Sequence, residues 1–292
     1  GLPRYAWAQC QDCSAFRRGL AERPVECHVC GSTQLKPGSA GNFVVPVYGF
    51  VGRDVEKSGE ARQPKTAFAE AFFSSDEDQP FDAVEGLGGT VSLAARVSRQ
   101  GRVTMINKGA MAGYRICEWC GAGELAPVSG ASKRKPTTHA DQRRPGKQCG
   151  GKLTSAMLGH EYLTDVVELK FDTSFDFDTA HSVLAALLES TRDIGINREE
   201  VDGTLFVHSR GVAPGLVIFD AVPGGAGHSQ RLAKRLPELA ELAYHRAEQC
   251  TCGRDTSCYS CLRGYTNQRR HEELNRGDAA AVLASLLGRS EI

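Results

Sequence analysis

The 292-residue chain carries no net charge at neutral pH, with 35 Lys and Arg against 35 Asp and Glu. That balance excludes a global field of either sign, so any affinity for a polyanion must come from local patches. Long apolar runs are missing too. None approaches the roughly 20 residues of a membrane helix, and no secretory leader opens the chain. The expectation is a cytoplasmic protein without membrane contact. No ATPase pair is found. Gly146-x4-Gly151-Lys152 matches most of a phosphate-binding loop, but Leu153 stands where Ser or Thr is required and no apolar strand precedes it. ATP hydrolysis by this chain alone is not expected. The opening Gly1-Leu2-Pro3-Arg4 has no initiator methionine and is read as the start of a fragment. Nor does the chain show internal repeats beyond its paired cysteines.

No cysteine is left over. Cys10-x2-Cys13 and Cys27-x2-Cys30 make one quartet, and Cys250-x-Cys252 with Cys258-x2-Cys261 make another. Cys117-x2-Cys120 and Cys149 need one partner, which His139 supplies by elimination, with His160 as the nearest rival. Three sets of four thiolate or imidazole ligands predict three closed, structural zinc ions, because tetrahedral Zn²⁺ is satisfied by four ligands. Such spacings without a secretory leader favour metal in a reducing compartment over disulfides. Closed coordination leaves no open position, so the expected role is folding and not catalysis.

The fold class expected is α/β in the mixed α+β sense: an N-terminal zinc ribbon followed by an α/β zinc-binding domain. Residues 1–40 read as the ribbon, 41–116 as a β-rich connecting segment, 117–151 as a zinc module with a basic loop, and 152–292 as the α/β domain. Thr90–Val97 and Arg102–Asn107 are predicted to pair as a hairpin across Ser98–Gly101. Asp178 is the expected cap of a helix burying Val183, Leu184, Leu187 and Leu188. Pro237 predicts a kink or a fresh helix start. Two cysteines spaced like Cys250 and Cys252 do not share a helix face, so a non-helical turn is expected there.

Three stretches are candidates for phosphate contacts. The loop carrying Lys133, Arg134, Lys135, Arg143 and Arg144 is basic, and each cation would help through counterion release. The segment Asp220–His228 places Gly224 and Gly225 where a strand gives way to a helix, with His228 and Arg231 nearby. Free N–H groups in such a turn attract anions, although glycine there also serves a tight turn on its own. Arg269 and Arg270 follow the last cysteine beside Tyr265, Asn267 and Gln268, a mix suited to nucleic acid or to capping. Asp220 with His228 is the thin basis for a metal-dependent nuclease.

These residues lead to a familiar pattern. Leu158-Gly159-His160-Glu161-x2-Thr164-Asp165, then Asp220-x2-Pro223-Gly224-Gly225-Ala226-Gly227, Cys250-x-Cys252, Ser257-Cys258-Tyr259-x-Cys261-Leu262-Arg263-x-Tyr265-x-Asn267-Gln268 and His271-x2-Leu274 resemble the MrfA-type zinc-binding domain. The likeness covers roughly residues 105–288. In that family the domain lies at the C-terminal end of superfamily 2 DNA helicases and in the DrmB subunit of DISARM phage defence. The resemblance implies that the last quartet is the family zinc site. It also implies DNA as a partner, with helicase/ATPase lobes supplied in cis or by a partner subunit in trans. No helicase lobes are present. The function expected is a zinc-binding, nucleic-acid-binding accessory domain or subunit, non-enzymatic by itself, in DNA repair or antiphage defence. A protein-interaction scaffold docking a helicase, and the nuclease, are the alternatives.

Overall fold

The computed structural model describes residues 4–19, 24–36, 42–46, 69–74, 79–109, 113–126, 138–208 and 213–289. Lys133, Arg134 and Lys135 lie outside them. The architecture is mixed α/β with an N-terminal zinc ribbon. The strands are β1 (Arg4–Cys10), β2 (Phe16–Gly19), β3 (Leu35–Lys36), β4 (Asn42–Val44), β5 (Ala69–Ser74), β6 (Asp82–Ala83) and β7 (Leu93–Asn107). They continue with β8 (Tyr114–Cys117), β9 (Gly123–Leu125), β10 (His139–Ala140), β11 (Gln148–Cys149), β12 (Leu153–Phe171), β13 (Val201–Phe206) and β14 (Gly215–Asp220). The helices are α1 (Phe177–Glu189), α2 (His228–Ala233), α3 (Leu236–Glu248) and α4 (Arg276–Leu287). Two compact units result, each built from two separate stretches: Gly1–Ala71 with Thr104–Glu161, and Phe72–Val103 with Tyr162–Ile292.

In the first unit β1 pairs antiparallel with β2, β3 and β4, while β4 runs parallel to the start of β12 at Phe43↔Met157. Phe43 is fully buried and stacks on Tyr5 at 5.3 Å. Its ring needs the space beside Gly159, where a Cβ would lie only 2.0 Å from Phe43 Cδ2. That contact explains the glycine in the Leu158-Gly159-His160 motif. The antiparallel pair β8–β12 sets Cys117 opposite Leu153, and β10–β11 sets His139 opposite Cys149.

The second unit has a three-strand antiparallel core, β12–β14–β13, with Val166↔Phe219 and Thr204↔Val217 in register. All six residues of β14 are buried, as a central apolar strand should be. Val183, Leu184, Leu187 and Leu188 of α1, Leu236 and Leu239 of α3, and Leu283 of α4 close over Leu169, Leu216 and Ile218. Each such fully buried aliphatic side chain contributes about 1.5–3 kcal/mol.

Two expectations change here, and a third is decided between its two alternatives. Asp176, and not Asp178, caps α1: its carboxylate accepts from Thr179 N at 2.8 Å, and Asp178 falls in the first turn. The hairpin expected at Ser98–Gly101 is instead the middle of one continuous strand, β7. Gly101 is there because a Cβ would sit 2.4 Å from Val166, so the glycine permits close strand passage and does not turn the chain. Pro237 starts the new helix α3, after α2 has ended at Ala233.

Candidate metal centres and the glycine turn

Strand ends and tight turns bring the cysteines together in fours. The groups are Cys10, Cys13, Cys27 and Cys30; Cys117, Cys120, His139 and Cys149; and Cys250, Cys252, Cys258 and Cys261, with the ligand atoms of each group all within 4.8 Å of one another. His160 is not in the second group. Bond lengths of about 2.3 Å to sulfur require tetrahedron edges of roughly 3.8 Å. The observed Sγ separations fit: Cys10–Cys30 is 3.6 Å, Cys117–Cys149 is 3.9 Å, Cys252–Cys261 and Cys258–Cys261 are 3.8 Å. Cys120 Sγ lies 3.2 Å from His139 Nε2. All eleven thiols are free of disulfides. The donor chemistry is that of zinc, and the chain binds three zinc ions.

The knuckles share one backbone device. Ser14 N, Gly31 N and Gly121 N each donate to the carbonyl of the first cysteine of the preceding pair, at 2.9–3.0 Å. All three residues are left-handed, with φ of 59°, 70° and 78°. Within the turns, Val29 N and Trp119 N point at Cys27 and Cys117 Sγ, both at 3.4 Å. Such donors favour the thiolate, the form that holds metal. Burial opposes ionisation of Cys27, yet the N–H groups of Cys30 and Val29, with Cys13, outweigh it and bring the thiol down to about 7. Cys120 also falls to about 7 and Cys258 to about 6, because backbone donors again outweigh burial. Burial pushes Cys261 up to about 12.

The third site is tied into the core from behind. Cys250 and Cys252 follow the end of α3 in non-helical backbone, and the buried pair Cys261–Leu262 joins the main apolar cluster. Motif residues around it hold the chain in place. Arg263 Nε donates to Ser257 Oγ at 3.0 Å, Asn267 Nδ2 to Leu262 O at 2.8 Å, and Gly264 N to Asn267 Oδ1 at 2.8 Å. Asn267 thus caps the knuckle.

The glycine turn after β14 fills its own donors. Gly224 N donates to Leu163 O at 2.8 Å, Gly225 N to Val222 O at 3.2 Å, and Gly227 N to Asp165 Oδ2 at 2.9 Å. Ala226 N, His228 N and Ser229 N donate to the Asp220 carboxylate at 2.6, 3.1 and 2.7 Å. Carboxylates of this chain thus take the place that a phosphate would need. Glycine is required because Gly224, Gly225 and Gly227 have φ of 84°, 73° and 81°, and a Cβ on Gly225 would meet Asp165 Oδ2 at 2.4 Å. Asp165 Oδ1 also accepts from Gln230 Nε2 at 2.7 Å, and Thr164 Oγ1 donates to Val222 O at 2.8 Å. The Thr164-Asp165 motif is the clamp of this turn. Asp220 is fully buried and His228 Nδ1 faces Glu200 Oε2 at 3.7 Å, so Asp220 and His228 form no acid–base pair for hydrolysis.

The described cations divide. Arg144 is bound to the buried Asp141 at 2.7 Å, Arg270 pairs with Glu273 at 2.8 Å, and Arg231 donates to Gly195 O at 3.3 Å. Arg143 is exposed. Gly146 lies in the loop between β10 and β11 and Cys149 belongs to the second zinc group, so the near-match to a phosphate loop does not form one. Sequence reasoning gave no role to two aromatic residues at knuckle tips, Trp119 and Tyr259, each 68% exposed. An aromatic side chain inside a Cys-x2-Cys pair was the available signal.

Residues 182–262 match the family model described as the MrfA Zn-binding domain. The matched span runs from α1 through the third zinc knuckle and is narrower than the 105–288 expected. Druantia protein DruE of Escherichia coli (strain UMEA 4076-1) is 26% identical over 202 residues, which are 61% of this chain and 11% of that protein. Two crystal structures of the DUF1998 helicase MrfA are similar. The one bound to DNA is 16% identical with a TM-score of 0.40, over 75% of this chain and 25% of that one. MrfA without that description is 14% identical with a TM-score of 0.33, over 75% and 24%. The chain therefore spans about a tenth of the length of DruE and a quarter of that of MrfA. Over residues 182–262 the resemblance read from the Asp220–Gly227 and cysteine motifs is borne out: this stretch is similar to the MrfA Zn-binding domain.

Proposed function

We propose that this chain is a zinc-stapled, nucleic-acid-binding accessory module of a helicase-type DNA repair or antiphage defence system, with no ATPase activity of its own. The observation that carries the reading is the match of residues 182–262 to the MrfA Zn-binding domain, which ends on Cys258 and Cys261 of the third metal group. The motor is supplied by helicase lobes in cis or by a partner subunit in trans. The closed zinc sites supply rigid shape, not a chemical step. Reduced thiols in all three groups suit a cytoplasmic setting, and among the described residues no helix is long and apolar enough to cross a membrane.

Phosphate contacts in this reading come from side chains, since the glycine turn satisfies its N–H groups internally. Arg143, in the same loop as Lys133, Arg134 and Lys135, and Arg269 after the last knuckle are exposed described candidates. A salt titration of DNA binding by the zinc-loaded chain tests it. Affinity should fall steeply between about 50 and 200 mM salt through counterion release, and indifference to salt sinks the reading. Docking on a helicase partner through the ribbon is the second reading, favoured by Val25 at 82% exposure beside the second ribbon knuckle. Retention of a motor protein without any retention of DNA would select it.

A further inference from the structure

We infer that Trp119, together with the cations of the β10–β11 hairpin, forms a base-stacking site for single-stranded nucleic acid. The inference rests on the nucleic-acid reading above and gives it a substrate class. Trp119 sits at the tip of the Cys117–Cys120 turn, yet an indole is among the side chains that most favour burial near a partner. Here it is 68% exposed. Its position is fixed nonetheless. Cys117 and Cys120 on either side are ligands of one site, and Trp119 N donates to Cys117 Sγ. Gly151 presses on the root of the ring: a Cβ there would come 3.2 Å from Trp119 Cβ and Cδ2 and 2.6 Å from Cys117 Sγ. The outward part of the ring is left for an occupant.

The surroundings specify that occupant. His139 and Cys149, the other two ligands, are paired across β10–β11, so the same metal joins the indole to the hairpin. Between Thr138 and Lys152 stand Arg143, Arg144, Lys147 and Lys152 against Asp141 alone. Asp141 is spent on Arg144 and on the N–H groups of Arg143 and Arg144, which also sets the turn. Arg143, Lys147 and Lys152 are exposed and carry no ion pair among the described residues. Lys152 directly follows the glycine that touches the indole. One flat exposed ring on the same zinc module as three exposed cations with no described ion pair is the combination that takes an unstacked base and its flanking phosphates. A duplex keeps its bases stacked and offers the ring nothing.

The chain has two tryptophans, and Trp7 is 4% exposed against Phe16, so a change in emission on binding reports Trp119. The zinc-loaded chain is titrated with oligo(dT), oligo(rU), an abasic deoxyribose-phosphate oligomer of equal length and a duplex, following emission and anisotropy. Quenching by oligo(dT) or oligo(rU) but not by the abasic oligomer is expected, and the better of the two names the sugar. Trp119→Ala should lower single-strand affinity about ten-fold or more, with Trp119→Phe keeping most of it and duplex affinity unmoved. Zinc content must stay at the parent value in both variants. If the parent binds DNA with a salt dependence but Trp119→Ala binds single strands equally well, stacking is overturned while the phosphate reading stands. Equal losses on duplex and single strand overturn it too. No binding of any oligonucleotide by the parent overturns both.

Discussion

Arg276 and Cys252 are joined by two hydrogen bonds from one guanidinium to one carbonyl, Nε at 2.9 Å and Nη2 at 2.6 Å. Arg276 is 6% exposed at the start of α4, and its Nη1 reaches Ala247 O at 3.0 Å, so one planar group holds the end of α3 and the zinc turn in register. Lysine cannot supply that fork. Arg276→Lys should cost about 2–3 kcal/mol in urea unfolding. It should also speed release of one zinc equivalent out of three to a colorimetric chelator, and release at the parent rate would show that the register is held elsewhere.

Asp220 is the second stress point. It accepts from Ser229 Oγ at 2.6 Å besides the three N–H groups of the glycine turn. Asp220→Asn keeps the volume but replaces one acceptor oxygen with a donor, setting NH2 against N–H. A loss of about 3 kcal/mol is expected, from hydrogen bonds to a charged group becoming unsatisfied.

The pH dependence of that site has a definite sign. Burial pushes the Asp220 carboxyl up, but Ser229 and the N–H groups of Ala226 and His228 outweigh it and hold it below the ordinary 3.8. Below 3.8 the unfolded chain binds the proton first, so this contribution is complete above that value and is lost as pH falls through the depressed one. Comparing acid unfolding of the parent with Asp220→Asn should show a shallower decline below about pH 4 in the variant. Identical curves would remove Asp220 as the cause.

Ser14 is the one described non-glycine residue with positive φ, at 59°, in the position that Gly31 and Gly121 hold in the other knuckles. A left-handed conformation costs an L-residue about 1 kcal/mol. Ser14→Gly should therefore stabilise the ribbon by about that amount, read as slower zinc loss to a chelator. Gly121→Ala should act in the opposite direction.

Metal stoichiometry checks the ligand sets. Elemental analysis of reduced parent should return three equivalents, His139→Ala two, and His160→Ala three, since His139 and not His160 joins Cys117, Cys120 and Cys149. Stripping the metal should unfold the modules, because binding and folding share one free energy. Three equivalents in His139→Ala would reassign the second site.

Much of the candidate site was legible because cysteine pairs are local. A Cys-x2-Cys turn is specified by a few neighbouring residues, so the spacing alone announced each knuckle, and thiol count fixed the stoichiometry. The helix entered by Pro237 and the buried strand Leu216–Phe219 were legible for the same reason, through a fixed φ and an unbroken apolar run. Glycine was not. Gly101 reads as a turn in sequence, and its true reason is Val166, 65 positions away along β12; Gly159 likewise answers to Phe43.

By itself, then, the chain's order of residues determined its metal chemistry, its mixed α/β character and the rigid turns, since those are set by ligand type and short-range backbone geometry. Tertiary structure alone decided which histidine completes the second site and that two units each draw on separate stretches of chain. It also decided whether the N–H groups of the glycine turn are open to an anion. They are not, because Asp165 and Asp220 arrive from two different strands to accept them, and no spacing within the turn records where those carboxylates come from.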